Sequence, residues 1–211
     1  MSKNRILWGV GTSRTIRAHW ALIELNLSYK TEIIRTRTTD TETAAFKSVN
    51  PRQKIPVLQD GTLTMGESAA IVTYLAESYS TEQVSLIPDN PKARAKYFEW
   101  MSFICMELDA TSLYVLRRHW SLPEIYGDSP IANKASEEYF NRMITAADKL
   151  KNPKQKYLLE TGFSGVDILM TTTLKWAIDY NQKIPNDFME YLDHMGNRPG
   201  YIAALEANKM P

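Results

Sequence analysis

The hydrophobic pattern of the chain changes character once, near residue 90. Before that point short apolar runs alternate with amphipathic stretches. Arg5-Ile6-Leu7-Trp8-Gly9-Val10 reads as a buried first strand. From Arg14, apolar positions Ile16, Trp20, Ile23 and Leu27 recur at helical spacing, predicting a helix to about Asn26. Residues 29–35 predict a second strand, and Ala44-Ala45-Phe46 a short helix that Asn50-Pro51 ends. The segment 55–75 then predicts two short antiparallel strands, Ile55 to Leu58 and Leu63 to Met65, around an Asp60-Gly61 turn. A helix follows from Glu67-Ser68. The order is β-α-β-α-β-β-α.

After residue 91 the period-two signal is gone. Residues 92–119 form one long helical pattern and residues 132–150 a second, closed by Asn152-Pro153. Ser164-Gly165-Val166-Asp167 has capping-box spacing ahead of an apolar helix, and two short helices follow at about 187–194 and 199–207. The segment 80–91, polar with two prolines, reads as a linker. The expected organisation is therefore an α/β domain over residues 1–80, a linker over 81–91 and an all-α domain over 92–211.

Two details of the 55–75 segment point beyond folding. Pro56 stands inside an apolar strand, where it removes a ladder donor and belongs at an edge or in a cis turn. The helix start at Glu67-Ser68 has free backbone N–H groups and a partial positive charge, which favour a carboxylate. Ser13, at the start of the first helix, reads on its own as an N-cap.

Composition narrows the classes. With 211 residues, 44% hydrophobic and 23% charged, the chain supports a real core, and its net charge of +1 implies no nucleic-acid or membrane field. Cys105 is the only cysteine, so neither a disulfide framework nor a thiolate metal cluster is available. It lies mid-helix and reads as a buried, inert thiol. His19, His119 and His194 are scattered, and no metal site is expected. The N-terminal residues lack the apolar run of a signal peptide and no span of 18 apolar residues occurs, predicting a cytoplasmic protein with no membrane partner.

Four motifs in order carry a resemblance: Asn50-Pro51-Arg52-Gln53-Lys54-Ile55-Pro56-Val57-Leu58, Gly66-Glu67-Ser68-Ala69-Ala70-Ile71, Phe163-Ser164-Gly165-Val166-Asp167-Ile168 and Arg198-Pro199-Gly200-Tyr201. Together they resemble the cytosolic glutathione transferase family, which implies a thioredoxin-like N-terminal domain and an all-α C-terminal domain. The first-loop pattern Thr12-Ser13-Arg14-x-x-Arg17-x-x-Trp20 is similar to serine-type bacterial and fungal members. The family usually has glycine where Gln53 stands. No cysteine occupies the first loop, unlike members that perform thiol–disulfide exchange.

The resemblance implies a site for each part of glutathione. Ser68 and the helix N–H groups would take the γ-glutamyl carboxylate, and Glu67 would accept from its amino group. Ile55 would offer its backbone N–H and C=O to the cysteine residue, and Lys54 or Gln53 would meet the glycine carboxylate. Ser13, with Thr12 as alternate, would stabilise the thiolate. Arg14 and Arg17 add positive field. Trp100, Phe103, Glu107, Thr111 and Tyr114 are candidate contacts for a small hydrophobic electrophile between the domains. The expected activity is detoxifying conjugation with glutathione as co-substrate, no tightly bound cofactor and a homodimeric state. A non-catalytic binding protein on the same fold and a glutathione-dependent isomerase or peroxidase are the rival readings.

Overall fold

The structure, a computed structural model, describes residues 4–210. Its contacts divide the chain into two units. The first runs to Ile87 and takes in the segment from Asn197 onward; the second is Pro88–Gly196.

The first unit is built on a four-stranded sheet in the order β2-β1-β3-β4. Strand β1 (Arg5–Trp8) pairs parallel with β2 (Lys30–Glu32) and antiparallel with β3 (Val57–Asp60), which pairs antiparallel with β4 (Leu63–Gly66). The parallel pair is joined through α1 (Thr15–Glu24), as a parallel connection requires. A short α2 (Ala44–Val49) leads to β3, and α3 (Ser68–Tyr79) follows β4. Helices α1 and α3 cover one face of the sheet, burying Trp20, Leu22, Ile71 and Leu75 completely. On the other face Phe46 of α2 packs with Ile34 and Val57, and its ring lies 6.0 Å from that of Trp8.

The strands are shorter than the apolar runs predict, and β3 starts at Val57 rather than Ile55. Pro56 explains this: its peptide bond with Ile55 is cis, and it has no N–H to donate to the ladder. Helix α3 is pinned at both ends. Tyr74 donates to Asp60 Oδ2 at 2.9 Å and Tyr79 donates to the same oxygen, while Arg5 approaches Asp60 Oδ1 at 3.5 Å. At the other end Arg17 Nη1 donates to Ser68 Oγ at 3.2 Å.

The final helix, α10 (Pro199–Ala207), belongs to this unit, where sequence reasoning groups it with the helical domain. It packs on α1 through Trp20 and Tyr201, whose rings lie 4.7 Å apart. Arg198 grips Glu24 with two bonds, at 2.6 and 2.8 Å, and Glu24 also accepts from the Trp20 indole. Glycine is required at 200, because a Cβ there would fall 2.2 Å from Glu24 Oε1.

His19 is fully buried on α1, bonded through Nε2 to the Gly9 carbonyl and through Nδ1 to the Tyr29 hydroxyl. The carbonyl can only accept, so Nε2 carries the proton and Nδ1 accepts from Tyr29. Burial lowers the His19 pKa to about 4 and raises that of Tyr29 to about 12. A depressed imidazole pKa means that the unfolded chain, titrating near 6.5, binds the proton first. Stability from neutral His19 is therefore full above pH 6.5 and falls away toward pH 4, by on the order of 3 kcal/mol. Thermal melts between pH 4 and 7 should show a shallower acid limb in His19→Gln than in the parent; equal limbs would contradict this assignment.

The second unit is helical. Helix α4 (Pro91–Phe103) starts with Asn90, whose side chain accepts from the Ala93 N–H, and with proline at the first helical position. The helix does not end at Phe103. It passes into a π-helical segment, Ile104–Leu113, and on into α5 (Tyr114–His119). The Ser112 hydroxyl donates to the Glu107 carbonyl five residues back, at 2.7 Å. A short α6 (Pro123–Tyr126) and a long α7 (Pro130–Leu150) follow.

Helix α8 (Gly165–Asp179) is the core of this unit and is buried on almost every side; α9 (Asn186–Gly196) lies against it. The capping-box spacing is realised. Asp167 Oδ2 accepts from the Ser164 N–H and hydroxyl, and Oδ1 accepts from the Leu158 N–H and the Tyr191 hydroxyl. Burial nonetheless pushes the Asp167 pKa up to about 6. Cys105 is half-buried within the π-helical segment.

Candidate functional site

The register of the sheet brings three loops of the first unit to one edge. Trp8, the last residue of β1, faces Val57, the first of β3, and Val57 faces Gly66, the last of β4. The loop 9–14, the Ile55-Pro56 bond and the Glu67-Ser68 helix start must therefore meet at the same end. The contacts agree. Gly9, at φ +113°, lies against Ile55 so closely that a Cβ would stand 2.6 Å from the Ile55 Cβ. Only glycine combines that backbone with that approach.

Thr12 and Ser13 take different parts at the start of α1. The Thr12 hydroxyl accepts from the Arg14 and Thr15 N–H groups at 3.3 and 3.0 Å and lies 3.0 Å from the Thr15 hydroxyl. It is the capping oxygen. Ser13, which sequence reasoning proposes as the cap, has a half-buried side chain whose hydroxyl makes no hydrogen bond among the described residues. One register step separates the two roles, and a hydroxyl that closes the turn from position 12 leaves the next one pointing elsewhere.

The loop is clamped from the far end of the sequence. Asn208 Oδ1 accepts from the Gly11 N–H at 3.1 Å and from the Thr15 hydroxyl at 2.6 Å, and its Nδ2 donates to the Thr12 carbonyl at 3.2 Å. Gly11, at φ +77°, leaves room for Met210, whose Cγ would lie 2.5 Å from a Cβ there. No sequence motif marks Asn208; only chain closure places it 196 residues from Thr12.

At the second helix start Ser68 is buried, and its Oγ accepts from Arg17, itself buried on α1. A guanidinium thus reinforces the partial positive charge at the start of α3. Sequence reasoning treats Arg17 as a source of positive field; its bond to Ser68 sets it at the start of α3. Glu67, just before α3, has φ +66° and an exposed carboxylate that accepts from Arg52 Nη1 at 3.2 Å. A non-glycine residue in that region costs roughly 1–2 kcal/mol. Gln53, standing where the family usually has glycine, is likewise left-handed at φ +54°. Lys54 is exposed, and its carbonyl accepts from Asn50 Nδ2 at 2.7 Å. The edge therefore offers a backbone strip at Ile55, two helix starts, one buried guanidinium and one unengaged hydroxyl.

The five helical candidates lie along α4, the π-helical segment and the start of α5. Trp100 and Phe103, edge-to-face at 5.9 Å, line a cavity of about 540 Å³ with Leu158, Leu159 and Lys96, all within the second unit. Glu107 accepts from the Tyr139 hydroxyl, which raises the Tyr139 pKa. Thr111 is exposed, and the Tyr114 ring lies 4.9 Å from the Arg118 guanidinium carbon. Among the described residues no group of three or more His, Cys, Asp or Glu side chains is placed to hold a metal, and no helix is long and apolar enough to cross a membrane.

Known proteins resemble this chain in sequence over part of its length and in fold. Residues 13–78 match the family model described as glutathione S-transferase, N-terminal domain. Glutathione S-transferase A of Pleuronectes platessa is 24% identical over 164 residues, 77% of this chain and 72% of the relative. A probable maleylacetoacetate isomerase 1 of Drosophila melanogaster is 32% identical over 99 residues, 46% of this chain and 39% of the relative, so that match spans well under half its length. The crystal structure of a glutathione transferase from Pseudomonas putida, with one glutathione disulfide bound per subunit, superposes with a TM-score of 0.85 at 20% identity, covering 98% of this chain and 92% of that one. Residues 13–78 thus resemble the N-terminal domain of glutathione S-transferases, and the chain shares the fold of a solved glutathione transferase.

Proposed function

We propose that the protein is a glutathione transferase of serine type, which binds glutathione at the edge described above and presents it as a thiolate to a small hydrophobic electrophile. The observation that carries this reading is the unengaged Ser13 hydroxyl at the start of α1, beside a cradle in which Arg17 already points at Ser68. The γ-glutamyl carboxylate would sit on the Ser68 hydroxyl and the α3 N–H groups, with its ammonium on Glu67. The cysteine backbone would pair with Ile55, as a short added strand, and the glycine carboxylate would meet Lys54 or Gln53. Thiolate formation then needs one charge-assisted hydrogen bond from Ser13, supported by the helix start. No tightly bound cofactor is required by this chemistry.

Glu107, Thr111 and Tyr114 fall on one solvent-reachable side of the helical segment, and we assign them to the electrophile. A homodimer is the expected assembly, and the cytoplasm the expected compartment. Phe98, Ser102 and Met106 form an exposed stripe at four-residue spacing along the same segment, which suits burial against a second copy. Met106→Asp should shift the sedimentation velocity peak from dimer toward monomer if that stripe is the interface.

Glutathione affinity tests the binding half of this reading. Ser68→Ala, and separately Glu67→Ala, should each weaken calorimetric binding of glutathione about 10-fold, the worth of roughly 1.4 kcal/mol. Unchanged affinity in both would remove the cradle. The isomerase similarity over 99 residues supports a second reading, glutathione-dependent isomerisation at the same site. Turnover of a cis-dienone substrate at a rate above conjugation would favour it.

A further inference from the structure

The loop that carries Ser13 has little to fix its own shape. Gly9 and Gly11 stand at φ +113° and +77°, and glycine reaches such angles at the cost of the greatest chain freedom. Gly9 and Val10 are tied beyond β2, where their N–H groups donate to the Glu32 and Ile34 carbonyls at 2.9 and 3.3 Å. From Gly11 onward the tie comes from Asn208. Its backbone carbonyl and its Oδ1 both accept from the Gly11 N–H, at 2.9 and 3.1 Å. Oδ1 also accepts from the Thr15 hydroxyl at 2.6 Å, and Nδ2 donates to the Thr12 carbonyl at 3.2 Å. The residues held lie on both sides of Ser13, which takes no part in these bonds.

Asn208 reaches the loop because α10 is tied to α1 at both ends. Helix α1 has 10 residues and α10 has 9, so at ~1.5 Å per residue they are about 15 and 14 Å long. Arg198, just before α10, grips Glu24, the last residue of α1. Asn208, the C-cap of α10, meets Thr15, the first residue of α1. The two helices therefore run antiparallel and in step, with the Trp20 and Tyr201 rings packed between them. A helix anchored on Glu24 at its start sets where its end falls. A loop N–H, a hydroxyl and a loop carbonyl together demand a side chain that both accepts and donates, as an amide does.

We propose that Asn208 is the positioning residue for the Ser13 hydroxyl: with α10 as a strut, it fixes residues 11–15 so that this hydroxyl faces the sulfur of bound glutathione. The proposal rests on the serine-type reading above. Asn208 acts through Ser13 and not on glutathione itself. Ser68, Glu67 and Ile55 stand on other segments, so loss of the Asn208 side chain should slow the chemistry more than it weakens binding. A group displaced by about 1 Å can cost up to ~10²-fold in rate. The bond from the Gly11 N–H to the Asn208 backbone carbonyl survives any substitution at 208, which limits the loss.

The test is a double-mutant cycle of Asn208→Ala with Ser13→Ala in the full chain, assayed with glutathione and 1-chloro-2,4-dinitrobenzene and referred to the folded fraction. Asn208→Ala should lower kcat about 5- to 20-fold, with KM for glutathione within about twofold of the parent. The apparent thiol pKa of bound glutathione should rise with it, which a loss of stability alone would not cause. In the Ser13→Ala background the same change should cost less than about twofold, because its route of action is gone. Lys209→Ala, at the exposed neighbouring position paired with Glu206, should leave all three readouts at parent values. Where Asn208→Ala does not fold, Asn208→Asp decides. It keeps both acceptors, sets a carboxylate against the Thr12 carbonyl and should lower kcat severalfold in folded protein; parent kcat there overturns the proposal. So do full multiplication of the two single effects, a change in KM without one in kcat, or an equal loss in Lys209→Ala. A slow Ser13→Ala beside an Asn208→Ala of parent kcat overturns the positioning role alone. A Ser13→Ala of parent kcat overturns the serine-type reading and the proposal with it.

Discussion

Ser13→Ala should lower the rate of conjugation with 1-chloro-2,4-dinitrobenzene about 10- to 100-fold at pH 6.5, while glutathione should still bind. The expectation follows from the thiol. Moving a cysteine pKa from ~8.5 to ~6.5 takes roughly 2.7 kcal/mol of preference for the charged form. A hydrogen bond to a charged group supplies ~1.5–3 kcal/mol and a helix start ~0.3–1 kcal/mol, so one hydroxyl carries most of the effect. The variant should also move the apparent pKa of bound glutathione, read from thiolate absorbance, upward toward that of the free thiol. Thr12→Ala should behave differently. Its hydroxyl caps the first turn of α1, so its loss should lower the melting temperature through a cap worth ~0.5–2 kcal/mol, with rate changes that follow the fraction folded. If Thr12→Ala abolishes turnover in folded protein and Ser13→Ala does not, the thiolate assignment shifts by one residue. If neither variant alters turnover, the serine mechanism fails.

Asp167→Ala is the variant with the largest expected effect on stability. The carboxylate is fully buried and accepts four hydrogen bonds, from the Leu158 and Ser164 N–H groups, the Ser164 hydroxyl and the Tyr191 hydroxyl. Removing it strands three donors in the core of the second unit, the Tyr191 hydroxyl keeping the Asp167 carbonyl at 3.3 Å, at a cost of about 3–5 kcal/mol. For a chain of this size that is a fall of roughly 10 °C in melting temperature. Asp167→Asn should lose less, since its carbonyl still accepts. The acid response runs opposite to that of His19. A carboxyl whose folded pKa is raised to about 6 binds its proton more tightly in the folded state. Its contribution is therefore full below pH 3.8 and declines as pH rises through 6. Parent and Asp167→Asn should differ in the slope of stability across pH 4–6; parallel curves would show that Asp167 does not titrate there.

The elements of the first unit were legible because their signals are local. Ile55, Pro56 and Val57 combine an apolar run with a missing donor, and the structure has a cis bond and a strand that begins at Val57, two residues later than expected. Asp167 was legible for the same reason, since a capping box is a spacing of three residues. Ser13 and Thr12 were legible as a pair but not apart. Which hydroxyl caps depends on where α1 begins, and that start at Thr15 is set by packing and by the Asn208 clamp. The π-helical register of Ile104–Leu113 was invisible, because a run with neither glycine nor proline reads as ordinary α-helix at 3.6 spacing.

The sequence by itself determined the two-part organisation, the helix starts that suit anions and the absence of a cysteine in the first loop. These follow from periodicity, capping and residue chemistry, which act over a few positions. Only the tertiary structure decided that Arg17 meets Ser68, that Asn208 holds the Thr12 loop and that α10 returns to α1. Each of these depends on which distant segments the folded core brings within hydrogen-bond reach, and no local pattern encodes that choice.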